Sequence, residues 1–248
     1  MSRNFRVGFT LFFVALVGRS VPAAASVSVL FVGNSLTSTN DLPNVFKKFA
    51  AESALHLDVD VHAVTAGGAT LSDQWKAGQA VAQLREQHPN FLILQGQSVE
   101  PLSASQNFFH YARVFKAEAD QVKTKTVLFS TWARPASDPF YKEMASGGSP
   151  IEMQTRLNSA YATLAQNIGA VLAPVGSAFE RTERDAPTIT LLNGTQHPSP
   201  AGTYLAAAVL FRVVFNSSPI GSTYFGGLPQ TAAHTLQRIA DSIPLNTR

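Results

Sequence analysis

The chain has no cysteine among its 248 residues. That absence excludes disulfides, thiol nucleophiles and cysteine-ligated metals together, so stability has to come from a core, which this length can supply. Charge is also scarce, at 14% of residues against 45% hydrophobic, a balance that fits a globular protein and not a disordered one. Internal repeats, linkers and low-complexity segments are absent as well, and one domain is the economical division of residues 26–248.

The N-terminus lacks carboxylates. Arg3 and Arg6 precede a mostly apolar run from Val7 to Val17, and Ala23-Ala24-Ala25 follows. Basic residues, a short apolar stretch and small residues in this order make residues 1–25 a secretory signal peptide, with cleavage expected after Ala25 and a secreted or periplasmic product. The run of 11 residues is well short of the ~20 that cross a bilayer as a helix, so no stable membrane anchor is expected. The leader holds three arginines (Arg3, Arg6, Arg19), and losing it leaves 16 basic residues of 19 against 16 acidic ones. A formally neutral product offers no electrostatic footprint for nucleic acid.

Short runs rich in β-branched and aromatic residues recur at 27–32, 57–64, 91–95, 126–130 and 171–175. The first, third and fourth are almost continuously apolar, as strands covered on both faces are. The second alternates (Leu57-Asp58-Val59-Asp60-Val61-His62) and reads as an edge. Helical patterns lie between them: from Asp41-Leu42-Pro43 through Phe49, at 79–87, around Phe108 to Ala119, around Leu157 to Ile168, at 199–215 and near 231–242. Alternating strands and helices predict an α/β fold, a doubly wound, flavodoxin-like five-stranded parallel sheet between two helical layers.

Ligands of such sheets bind outside the carboxyl ends of the strands. The segments expected there are Gly33-Asn34-Ser35, Thr65 to Thr70 with Gly67 and Gly68, Gln95-Gly96-Gln97-Ser98, Thr131-Trp132-Ala133-Arg134-Pro135, and the late loop Asn193-Gly194-Thr195-Gln196-His197-Pro198. They place a serine, glycines, amides and one imidazole on one rim. Serine is also an ordinary turn residue, and the partners are what raise Ser35 to a candidate nucleophile. Trp132 and Arg134 follow a strand as pocket-lining residues do.

Val32-Gly33-Asn34-Ser35-Leu36 and His197-Pro198-Ser199-Pro200-Ala201-Gly202 resemble the first and last sequence blocks of the SGNH hydrolases, also called GDSL-type esterases and lipases. The resemblance spans Val27 to about Ala208. It implies a hydrolase of carboxylic esters with Ser35 as nucleophile and His197 as base. It also implies an oxyanion hole of Ser35, Gly68 and Gln97, the last standing where the family usually has asparagine. Asn34, Trp132 and Arg134 would border the substrate. No cofactor or metal is implied. The family's aspartate, three residues before the histidine, is replaced by Gly194. Asn193, Asp185 or a backbone carbonyl is left to orient His197.

The chemistry is coherent on its own terms. A serine hydroxyl needs a base to take its proton, and imidazole suits that task near neutrality. Fixed donors then meet the charge that develops on the acyl oxygen. Small acyl groups on a glycan or another small ester are the expected substrates, by family analogy. A polysaccharide O-acyltransferase would use the same residues, and a glycan-binding protein that has lost the reaction would keep the same fold.

Overall fold

The computed structural model describes Met1 and residues 26–245; the expected leader lies outside the described residues. The first strand, β1 (Val27–Gly33), is flanked by β2 (Val59–Thr65) and β3 (Phe91–Leu94), followed by β4 (Lys125–Phe129) and β5 (Val171–Ala173). All four pairings are parallel, in the order β2-β1-β3-β4-β5. The expected five-stranded parallel sheet is therefore present, with the alternating strand β2 at an edge.

Parallel strands need crossovers, and helices supply them. The crossovers hold α1 (Ser35–Ser38), α2 (Leu42–Ala51), α3 (Leu71–Ala77), α4 (Gln79–Gln87), α5 (Glu100–Ser103), α6 (Ser105–Gln121) and α7 (Pro150–Ile168), and α8 (Val175–Asp185), α9 (Pro200–Phe215) and α10 (Gln230–Ser242) follow the last strand. Successive β1 side chains enter opposite layers, the consequence of a two-residue period. Val29 and Phe31 join α2, α8, α9 and α10, whereas Leu30 and Val32 join α3, α4, α6 and α7. Helix α9 is buried nearly all round, including Ala206, Ala207 and Ala208. Small side chains let it lie close to the sheet and to α2, α8 and α10. It is an internal helix, and no helix among the described residues is long and apolar enough to cross a membrane.

Two differences from the sequence reading have physical causes. Helix α8 is not among the expected helices: five of its eleven residues are charged, and beyond its first two residues only Ala178, Phe179 and Thr182 are buried. Helix α3 is also not among the expected helices. Its start is fixed by a reciprocal cap in which Thr70 accepts from the Asp73 N–H while the Asp73 carboxylate accepts from the Thr70 N–H, a capping box built with aspartate in place of glutamate.

Candidate active site

Strand β1 delivers Ser35 to the carboxyl end of the sheet, and three buried amides hold the turn. The Gln95 Oε1 accepts from the Asn34 N–H at 3.0 Å and from the Thr37 hydroxyl at 2.8 Å. The Gln74 Nε2 donates to the Gly33 carbonyl at 2.6 Å. Asn34 caps α1 by accepting from the Leu36 N–H at 3.0 Å, and its Nδ2 donates to the Ala69 carbonyl at 3.0 Å. A β-carbon on Gly33 would lie 2.5 Å from Gln95 Oε1 and 2.7 Å from Thr37 Oγ1, so glycine is required there for the amide to cross.

Ser35 and His197, 162 positions apart, meet: His197 Nε2 stands 2.9 Å from Ser35 Oγ. On the far side of the ring, Nδ1 lies 3.0 Å from the Thr195 Oγ1. The Thr195 hydroxyl donates its one proton to the Asn193 Oδ1 at 2.7 Å, so toward His197 it accepts, and the imidazole carries its proton on Nδ1. That tautomer leaves Nε2 free to accept the Ser35 proton, the arrangement a general base requires. The loop is closed by the Leu192–Pro198 bridge and by the Asn193 N–H donating to the His197 carbonyl at 3.1 Å. Gly194 turns at φ 86°, a conformation that L side chains rarely adopt. The position where the resemblance expects aspartate is thus shaped for glycine.

Thr195 is the group the sequence reading missed. Its neighbours Asn193 and Gly194 signal a turn, and a hydroxyl two residues before a histidine was the available hint. Asn193 acts one bond further back than expected. Asp185 does not orient His197: it sits at the end of α8, paired with Arg181 and with Arg184 at 2.9 Å.

Each of the three oxyanion candidates keeps an N–H without an acceptor among the described residues. Ser35 opens α1, whose Asn34 cap satisfies Leu36, Thr37 and Ser38. Among the described residues the Ser35 N–H has no acceptor, and neither does that of Gly68, which lies in the Ala66–Ala69 turn at φ 70° with open space around it. Asn34 links this turn to Ser35. The Gln97 Oε1 accepts from the Val99 and Glu100 N–H groups at 2.9 and 3.1 Å, which leaves its Nε2 as the end available to a ligand.

Glu100 locks that loop reciprocally. Its Oε2 accepts from the Gln97 N–H at 3.3 Å and its Oε1 from the Asn107 Nδ2 at 3.0 Å. The residue is only 2% exposed. Burial pushes its carboxyl above the ordinary range, against the lowering effect of those hydrogen bonds. A raised carboxyl holds its proton longer in the folded chain than in the unfolded one, so its ionisation costs stability as pH rises through that interval. Glu100→Gln does not titrate. Its Tm minus that of the wild type is expected to be higher at pH 7.5 than at pH 4.5, and a value that stays constant or falls as pH rises contradicts this.

The three residues expected to border the substrate are engaged within the protein. Trp132 is 2% exposed and stacks on Phe179 with centroids 4.1 Å apart. Its Nε1 donates to the Gln196 carbonyl at 3.0 Å, bracing the His197 loop from behind. Asn34 is likewise 2% exposed, its amide consumed by the bonds above. Arg134 is partnered internally, by Asp138 at 3.2 Å and by the Ser98 hydroxyl at 2.9 Å.

No family model matches this chain, and no curated protein does. Solved structures do. A protein assigned to the SGNH hydrolases from Slackia heliotrinireducens is 28% identical, with a TM-score of 0.64 over 77% of this chain and 100% of that one. This likeness supports the SGNH hydrolase superfamily. Two further solved structures are more distant in sequence. A DUF4886-family protein from Bacteroides uniformis has a TM-score of 0.67 at 13% identity, covering 88% of this chain and 94% of that one. A substituted acetyl-xylooligosaccharide esterase from Geobacillus has a TM-score of 0.57 at 14% identity, covering 77% and 95%. These two establish likeness of fold.

Proposed function

We propose that this protein is an exported serine esterase that removes small acyl groups, acetyl above all, from carbohydrate or other small esters. The observation that carries the reading is the line Ser35 Oγ, His197 Nε2, His197 Nδ1, Thr195 Oγ1, Asn193 Oδ1, with contacts of 2.9, 3.0 and 2.7 Å. Ser35 attacks the ester carbonyl as its proton passes to His197. The N–H groups of Ser35 and Gly68 and the Gln97 Nε2 receive the oxyanion. His197 then protonates the departing alkoxide, and water, activated by the same imidazole, releases the acid from the acyl-enzyme. Neither this chemistry nor the residues that carry it call for a metal or cofactor.

Among the described residues no carboxylate hydrogen-bonds the imidazole, whose Nδ1 partner is Thr195. The imidazolium of the transition state meets the Thr195 and Asn193 dipoles instead, a weaker partner than an ionised aspartate. Thr195→Val keeps the shape and removes the acceptor of the Nδ1 proton. A hydrogen bond to a charged group contributes about 1.5–3 kcal/mol, which corresponds to a loss in kcat of roughly 10- to 100-fold. Asn193→Ala is expected to lose less, and unchanged kcat in Thr195→Val contradicts the relay.

The acetyl preference is supported by the Geobacillus neighbour, an acetyl-xylooligosaccharide esterase. Export is supported by the composition of residues 1–25. Hydrolysis of p-nitrophenyl esters of rising acyl length, run beside acetylated xylan, tests the reading. Activity should be highest on acetyl and fall with chain length, with acetate released from the glycan; a preference for long acyl chains contradicts it.

A further inference from the structure

A cleft borders the His197 loop, and we infer that it is a subsite for the sugar units that carry the ester, so that the substrate is an oligosaccharide ester and not an ester of an isolated sugar. This rests on the esterase reading of Ser35 and His197. The cleft, of about 240 Å³, lies between the starts of α2 and α9 and is lined by Asn40, Asp41, Asn44, Lys48 and Tyr224 among others.

Its position ties it to the reaction. Asn40 donates from Nδ2 to the Pro198 carbonyl at 3.0 Å and to the Thr203 hydroxyl at 2.9 Å, and Pro198 is the residue after His197. Asp41 follows Ser35 by one short helix and three residues. At 1.5 Å per helical residue and about 3.3 Å per extended one, it lies no more than about 16 Å from the nucleophile. A short glycan with its acyl group at Ser35 spans that interval.

Its chemistry selects a neutral, hydroxyl-rich ligand. Asp41 offers only acceptors, Lys48 only donors, and Asn44 both. Among the described residues none of these three side chains has a hydrogen-bond or ion-pair partner within the protein. An anion would meet Asp41 and a cation would meet Lys48, whereas sugar hydroxyls, which donate and accept, satisfy both. Tyr224 adds an aromatic surface. The Asp41 charge contributes to raising the Tyr224 phenol, after burial and Glu52, so the ring keeps its hydroxyl as a neutral donor.

The walls are held in place before any ligand arrives. The Tyr204 hydroxyl donates to the Tyr224 carbonyl at 2.9 Å and itself accepts from the Gln237 Nε2 at 2.8 Å. Asn40 and Asp41 are both fixed at positive φ, 55° and 54°, a conformation that costs free energy for residues other than glycine and that asparagine and aspartate tolerate best. Such strain is retained where surrounding contacts over-determine the backbone, as the Asn40 bonds do.

The test is the double variant Asp41→Asn, Lys48→Gln, which keeps an αL-tolerant residue at position 41. Affinity for acetylated xylooligosaccharides is measured by calorimetry in the Ser35→Ala background, where nothing is hydrolysed. In the Ser35 form, kcat/KM is compared on the same glycans and on p-nitrophenyl acetate. The subsite predicts a Kd at least fivefold weaker and a glycan-to-nitrophenyl ratio of kcat/KM at least fivefold lower, arising in KM. An unchanged Kd and ratio overturns it, as does a loss that is equal on both substrates. Absence of glycan binding in the Ser35→Ala background overturns it too. Glycan binding that the double variant weakens, in a protein with no esterase activity, upholds the subsite and defeats the catalytic reading instead.

Discussion

Replacing Ser35 by alanine is expected to lower kcat on p-nitrophenyl acetate by roughly ten-thousand-fold or more, the scale on which removal of a serine nucleophile acts in hydrolases of this kind. The cause is the loss of the acyl-enzyme route; what survives is stabilisation by the remaining donors. Stability should not fall, because the Ser35 hydroxyl supports no other part of the fold: its one side-chain partner is His197, and the α1 cap belongs to Asn34. His197→Ala should cost a similar amount. The double variant should cost little more than either single one, since groups that act as a unit are not additive. Independent, multiplying losses would mean that the two side chains do not cooperate in one proton transfer.

The second large effect belongs to Gln97. Removing one oxyanion donor costs roughly 100- to 1000-fold in kcat where it has been measured, and Gln97→Ala is expected in that range with KM nearly unchanged. The expectation follows from the way the side chain is held. Its oxygen is occupied by the Val99 and Glu100 N–H groups, so only the Nε2 end can face a developing charge. Gln97→Glu sharpens the point: it keeps the acceptor for those two N–H groups and places an anion against the oxyanion, and should be at least as damaging as alanine. Full activity in Gln97→Glu would mean that this side chain never meets the acyl oxygen.

The parts legible in the sequence were those governed by local signals. β1 could be read because a continuous apolar run stops at Gly33-Asn34-Ser35, and the start of α9 because Ser199-Pro200 is a strong N-terminal signature; both elements occur there. The rim followed from parallel topology, since every strand end then points the same way. Helix α8 was not legible, because its apolar stripe is short and its neighbours are charged. Thr195 was not legible for a different reason: its contact with His197 depends on the course of a five-residue loop, which a turn at Gly194 fixes but does not announce. Trp132 illustrates the converse error. An aromatic residue after a strand fits a pocket wall by position, yet its burial and its bond to the Gln196 carbonyl make it a brace for the catalytic loop.

The glutamine pair behind the nucleophile shows how polar groups can specify a site from inside the core. Gln74 and Gln95 are 3% and 1% exposed, and each spends its amide on the backbone or side chains of Gly33 to Thr37. A buried amide without partners would be costly; satisfied, it fixes the geometry of the turn that presents Ser35.

The central claim is that Ser35 is an activated nucleophile because His197, held by Thr195, takes its proton. Fluorophosphonate labelling followed by peptide mass spectrometry tests it most directly, since the reagent traps the serine without needing the natural substrate. The account predicts a single adduct on Ser35 in the wild type, slower labelling in Thr195→Val and none in His197→Ala. Labelling of Ser35 at an undiminished rate in His197→Ala, or an adduct on a different serine, would contradict it.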